Sequence, residues 1–169
     1  MTSASPNLDR VTRMFALFVA VGYLGYLLLL LPPIGDTASR MAAWWTPTMV
    51  ILVFGSGLSL GVASRLTGMR ATRLAGSAAG AAFALAVVTW PGAWDGTVST
   101  GTDGVWLAAF PGLAALAVVV AWPAWVAFSY MVVAVVSVQW INYAARGLDD
   151  SSVLIPEILF GVMFCSIFL

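Results

Sequence analysis

The chain has 169 residues, 62% of them hydrophobic and 8% charged, with a mean hydropathy of +1.00. Soluble domains carry charge on roughly a quarter of their residues, so this composition belongs to an integral membrane protein; about 20 residues per crossing leave room for one membrane domain and no separate soluble one. Seven arginines balance seven acids, which gives no basic field for recruiting nucleic acid, and the absence of lysine and histidine excludes a Schiff-base lysine, bis-histidine haem ligation, histidine-bound zinc and a histidine proton relay.

The first apolar run is Met14 to Leu31, preceded by Arg10 and Arg13 and followed by Pro32 and Pro33, which are expected to end its helix. It is too long for a signal peptide and has no convincing small-residue cleavage site, so it reads as a span. The second run, Pro47 to Ser64, follows Trp44 and Trp45, a pair suited to the headgroup region. Arg65, Arg70 and Arg73 then crowd a short connection to the third run, Leu74 to Trp90. A Gly/Thr/Asp-rich loop, Gly92 to Gly104, holds Asp95 and Asp103 and leads to the fourth run, Val105 to Trp122. The apolar stretch from Val105 to Tyr143 is about twice a span, so it must fold back, and Pro123 is the expected turn. The fifth run is then Ala124 to Tyr143, and the polar stretch Ala144 to Ser152 separates it from the sixth, Val153 to Leu169.

The expectation is an all-α, polytopic membrane protein of six transmembrane helices, because the runs are apolar on every face and lack the alternation of a β-barrel. With the N-terminus inside, Arg10, Arg13, Arg65, Arg70 and Arg73 are cytoplasmic and only Arg40 and Arg146 lie outside. That count of five against two favours both termini inside and a multi-pass protein of the cell membrane. Asp36, Asp95, Asp103, Asp149 and Asp150 then fall outside.

Two GxxxG pairs, Gly57 with Gly61 and Gly76 with Gly80, place two hydrogen side chains one turn apart and point to tight contacts made by the second and third helices. Ordinary packing within the chain is the simpler expectation, and a dimer face is the alternative. Glu157 is the one acid well inside an apolar run, where burying a charge costs about 3 kcal/mol on insertion scales. Gln139 lies at similar depth in the preceding helix, Asn142 shares its face, and Arg146 stands just outside, so these four side chains form a candidate sensing cluster near the outer surface. The competing reading has Glu157, directly after Pro156, reaching to water in the first helical turns.

Tryptophans 44, 45, 90, 94, 106, 122, 125 and 140 fall mostly near span ends, as an aromatic belt requires. Pro111 and Pro156 sit inside spans, where they act as candidate kinks. The lone Cys165 makes no internal disulfide. No paired carboxylates, metal-ligand cluster, phosphate loop or nucleophile–base constellation occurs, so neither a catalytic site, a cofactor nor a metal is expected.

Arg10 and Arg13 before the first span, Leu31-Pro32-Pro33 after it, Trp44-Trp45, the arginine-rich turn to Arg73, Trp90-Pro91 and Ala121-Trp122-Pro123 together resemble the membrane-embedded N-terminal region of actinobacterial sensor histidine kinases. The resemblance is one of layout across the whole chain and rests on no strict motif. It implies a homodimeric sensor that relays an envelope or membrane signal to a cytoplasmic kinase and thence to a response regulator. The phosphoacceptor histidine and ATP-binding boxes are missing, so any kinase activity would reside in a further module. The last run is about 25 Å of helix, only just enough to cross, which fits a chain that continues. The alternative is a complete small membrane protein, an accessory subunit or a channel or transporter component built around Glu157.

Overall fold

In hydrocarbon every backbone N–H and C=O must find a partner inside the protein, so apolar runs of this length become helices. A computed structural model describes residues 6–97, 105–148, 151–167 and 169. Six α-helices occur among them: α1 (Pro6–Ala38), α2 (Trp45–Leu66), α3 (Met69–Ala93), α4 (Pro111–Ala121), α5 (Ala124–Ala145) and α6 (Ser151–Ser166), with a 3-10 turn at Trp106–Ala109. Helices α1, α2, α3 and α5 are long and apolar enough to cross a membrane, whereas α4 and α6 are shorter apolar helices. The chain is thus a helical membrane protein. Asp103, Asp149, Asp150 and Phe168 lie outside the described residues.

Successive helices are neighbours: α2 packs between α1 and α3, α4 against α3 and α5, and α6 against α5, while α1 also touches α3 and α4. One end of the bundle gathers the start of α1, the α2–α3 connection and the α4–α5 turn. The other gathers the α1–α2 connection, the end of α3 and the α5–α6 connection. At this second end Met41 bridges to Trp94, and backbone hydrogen bonds from Ala42 N–H to the Ala93 carbonyl (2.7 Å) and from Asp95 N–H to the Arg40 carbonyl (3.0 Å) staple α1–α2 to α3. Thr97 donates its backbone N–H (2.8 Å) and hydroxyl (2.7 Å) to Asp95 Oδ1, and these bonds hold the Asp95 carboxyl below the usual carboxylate range.

Several boundaries differ from the sequence expectation. Pro32 and Pro33 do not stop α1, which runs 33 residues and contains both. The two missing N–H groups free carbonyls one turn earlier, at Leu28 and Leu29, which lie on an exposed part of the helix. The Pro33 carbonyl accepts the Thr37 hydroxyl at 2.8 Å, so the last turn closes on itself. The three arginines do not share a loop either: Thr67 and Gly68 alone connect α2 to α3, leaving Arg65 in the last turn of α2 and Arg70 and Arg73 in the first turns of α3. Extended backbone at both connecting residues makes the break, after which the Gly68 carbonyl accepts the N–H groups of Ala71 and Thr72.

The largest departure is in the fourth run. Val105 to Trp122 is not one helix: it enters as a 3-10 turn, breaks at Phe110 and becomes α-helical only from Pro111. Pro111 is therefore the first residue of α4 rather than a kink within it, a position where its absent N–H costs nothing. The turn at Trp122-Pro123 falls between α4 and α5, where Pro123 caps α5.

Most of the broken segment is buried, with Leu107 and Phe110 fully inaccessible, while Ala109 is exposed. Asn142 Oδ1 accepts the Val105 N–H at 3.0 Å, replacing a missing helical partner. Phe110 sits among four rings from three other helices: Tyr23 and Tyr26 of α1 at centroid distances of 5.0 and 5.8 Å, Phe54 of α2 at 5.1 Å and Phe83 of α3 at 5.7 Å. Above it, Trp45 meets Trp90 edge to face at 5.0 Å and Trp106 at 6.3 Å, and Trp106 stacks on Phe54 at 6.0 Å. Three of the eight tryptophans thus belong to the core rather than an interfacial belt, whereas Trp44, Trp122, Trp125 and Trp140 are exposed. Trp45 satisfies its indole N–H on the Thr89 hydroxyl at 2.9 Å.

The two GxxxG pairs serve different neighbours. A Cβ at Gly57 would overlap the Tyr23 ring, and one at Gly61 would meet Ala20 Cβ at 3.0 Å, so the α2 pair receives α1. A Cβ at Gly76 would stand 2.6 Å from the Ala117 carbonyl oxygen, and one at Gly80 would collide with Val118, so the α3 pair receives α4. The Gly80 carbonyl also accepts the Tyr130 hydroxyl at 2.8 Å, which ties α5 to α3. Gly57→Ala should therefore destabilise the protein in detergent by about 1–3 kcal/mol, the cost of overpacking a filled site. Gly55→Ala, which meets nothing within 4 Å, should leave stability equal or higher. Equal stabilities for the two variants would show that Tyr23 does not rest on Gly57.

Candidate functional site

Helix α5 ends in a left-handed glycine cap. Gly147 has φ +60°, its N–H reaches the Ala144 carbonyl at 3.1 Å, and the Leu148 N–H reaches the Tyr143 carbonyl at 3.5 Å, the paired bonds of a Schellman motif. Arg146, immediately before that glycine, is held at a defined helix end. In α6, Pro156 has its missing N–H in the early turns, and Glu157 follows it. Arg146 Nη1 donates to Glu157 Oε1 at 2.7 Å, an ion pair with side-chain exposures of 24% and 29%. Glu157 Oε2 is buried and has no hydrogen-bond partner among the described residues. The pair is more sheltered than a surface salt bridge, so each charge depends on the other.

The other two members of the sequence-derived cluster face elsewhere. Asn142 is occupied by the Val105 N–H and serves the broken segment. Gln139 lines a cavity one level deeper, where its Nε2 lies 4.0 Å from the position a Cβ would take on Gly161. Glu157 and Gly161 are one turn apart on α6, so the ion pair, Gln139 and the cavity follow one another along the α5–α6 seam.

That cavity, of about 380 Å³, lies between α1, the 3-10 turn and start of α4, α5 and α6. Phe18, Gly22 and Tyr26, spaced by four, form the α1 wall; Pro111 and Gly112 lie on its floor; Phe160 and Phe164 form the α6 wall. Its lining is apolar apart from Tyr26, Gln139 and Cys165. Sequence reading missed it, because it exists only where the fourth run stops being a helix. The signal was present in Phe110-Pro111-Gly112, since proline, which has no N–H to give, belongs at a helix start.

Helix α6 is held by small contacts. A Cβ at Gly161 would stand 2.9 Å from Val135 of α5, and one at Gly112 of α4 would stand 2.9 Å from Cys165 Sγ. Leu154 is buried, but Ile155, Leu159, Phe160, Met163 and Ile167 are exposed, so most of α6 presents an unpacked apolar surface. No group of three or more metal-ligating side chains occurs among the described residues. The arrangement offers a sheltered ion pair next to an apolar cavity.

Arg146→Met should leave the Glu157 carboxylate sheltered with neither oxygen paired and lower stability by about 1–3 kcal/mol. Arg146→Met/Glu157→Met should recover most of that loss in detergent unfolding, whereas additive losses would mean that the two charges act independently. No protein-family model matches the chain, and neither a curated protein nor a solved structure matches it.

Proposed function

We propose that the chain is a membrane-embedded sensory domain, with α6 as the element that changes position. The observation that supports this reading is the asymmetry of α6: small-residue contacts and one ion pair hold it to α4 and α5, while another side faces the apolar cavity. A helix seated this way has room to shift when the cavity fills or when the Arg146–Glu157 pair opens, and a domain that responds to its surroundings needs such a bistable element. The polar side chains of the cavity are too few for a conduction path, which favours sensing over a channel or transporter component.

The finer reading follows the layout resemblance. In it, six crossings place both termini in the cytoplasm of a cell-membrane protein, the domain works as a homodimer, and it passes its signal to a cytoplasmic histidine kinase module and a cognate response regulator. The five-to-two division of arginines supports the orientation. The Arg146–Glu157 pair then lies toward the outer surface, where an envelope signal arrives.

Two measurements test these readings. Glu157→Gln keeps the side-chain shape and removes the charge, so in the full-length protein it should alter signal output while insertion and expression stay unchanged. Equal output from wild type and Glu157→Gln across the pH range tested would remove Glu157 from sensing. For the orientation, Thr67→Cys in a Cys165→Ser background should resist a membrane-impermeant thiol reagent added outside, and strong outside labelling would reverse the topology.

A further inference from the structure

Five arginines gather at the end of the bundle formed by the start of α1 and the α2–α3 connection: Arg10, Arg13, Arg65, Arg70 and Arg73. The one acid beside them among the described residues is Asp9. Arg13 is fixed, donating to the Ser64 carbonyl at 3.3 Å where α2 approaches its end. The other four are exposed. The one ion pair among the described residues, Arg146–Glu157, lies at the opposite end of the bundle.

These arginines line two clefts of similar size. Between α3 and the α4–α5 turn, a cleft of about 470 Å³ is bounded by Arg70, Arg73, Ser77 and Trp122. The Trp122 indole N–H donates to the Ser77 hydroxyl at 3.0 Å, which fixes the ring as a wall beside the two guanidinium groups. Between α1 and α2, a second cleft of about 490 Å³ is bounded by Arg10, Arg13, Ser64 and Arg65. Asp9 borders both.

We infer that these clefts bind the headgroup phosphates of anionic glycerophospholipids in the leaflet that meets this end of the bundle. Charge complementarity selects the occupant: five guanidinium groups against one carboxylate attract an anion, and guanidinium matches phosphate through paired N–H donors. The location selects a lipid over a soluble anion, because the clefts open at the ends of apolar helices, beside an exposed Trp122 whose indole suits the headgroup layer. Asp9, shared by the clefts, opposes the phosphates and limits their affinity. The inference is independent of the sensory reading, since it involves neither α6 nor the cavity.

Purified wild-type protein should retain phosphatidylglycerol over phosphatidylcholine when lipid-bound species from mixed nanodiscs are counted by native mass spectrometry. Arg70→Gln/Arg73→Gln should reduce that preference about 30-fold for the cleft beside Trp122, and Asp9→Asn should raise it about fivefold. Arg40→Gln, at the opposite end, should leave it unchanged. Equal retention of the two lipids by wild type, or an equal loss with Arg40→Gln, would overturn the proposal. So would displacement of phosphatidylglycerol by an equal concentration of inorganic phosphate, which would make these sites for a free anion. Because Asp9→Asn predicts a gain, damage to folding cannot imitate it.

Discussion

The fold depends on satisfying a stretch of non-α-helical backbone buried inside a membrane protein. From Val105 to Phe110 the chain gives up α-helical hydrogen bonding, and irregular backbone packed among apolar helices persists only where protein surrounds it and meets its polar groups. Asn142 supplies one acceptor, and the rings of Tyr23, Tyr26, Phe54 and Phe83 close around Phe110. These groups come from α1, α2, α3 and α5, so the segment draws four helices to one centre. The close approach of α1 to α2 in turn needs Gly57 under Tyr23, and that of α4 to α3 needs Gly80 under Val118. Packing, rather than a hydrophobic driving force between helices, holds such a bundle together, which is why small residues sit at its contacts.

The same break produces the cavity. Had Val105 to Trp122 formed one continuous helix, Ala108 to Gly112 would belong to a regular cylinder; instead the change from 3-10 turn to α4 forms a floor of small residues beneath Tyr26 and α6. Helix α6 closes only part of this space. Its glycine contacts and the Arg146–Glu157 pair set its place, so polar chemistry at one end of α6 and apolar filling along its length bear on the same helix.

Composition and apolar run length made the helical membrane character legible, and the turn at Pro123 could be placed because an uncharged stretch twice the length of a span has to reverse. The GxxxG positions were legible as close contacts, but the identity of each partner helix was not, because spacing says nothing about which neighbour a face meets. Helix ends were misplaced where proline was read as a stop. Pro32 and Pro33 sit inside α1, while Pro111 begins α4, where its absent N–H breaks no helical bond; which of the two positions a proline takes depends on the packing around it rather than on the residue alone. The same tertiary dependence hid the role of Asn142, which spacing grouped with Glu157 but which turns to Val105, and it concealed Trp45, Trp90 and Trp106 as core rather than interfacial rings.

Hydrogen–deuterium exchange of the amides from Val105 to Phe110, in wild-type protein held in lipid nanodiscs, measures the central feature directly. A buried segment whose lead amide is bonded to Asn142 should exchange as slowly as the interior of α3, and Asn142→Leu should release Val105 first. Exchange of these amides as fast as that of an exposed loop would contradict a packed centre at Phe110 and, with it, the cavity and the seating of α6.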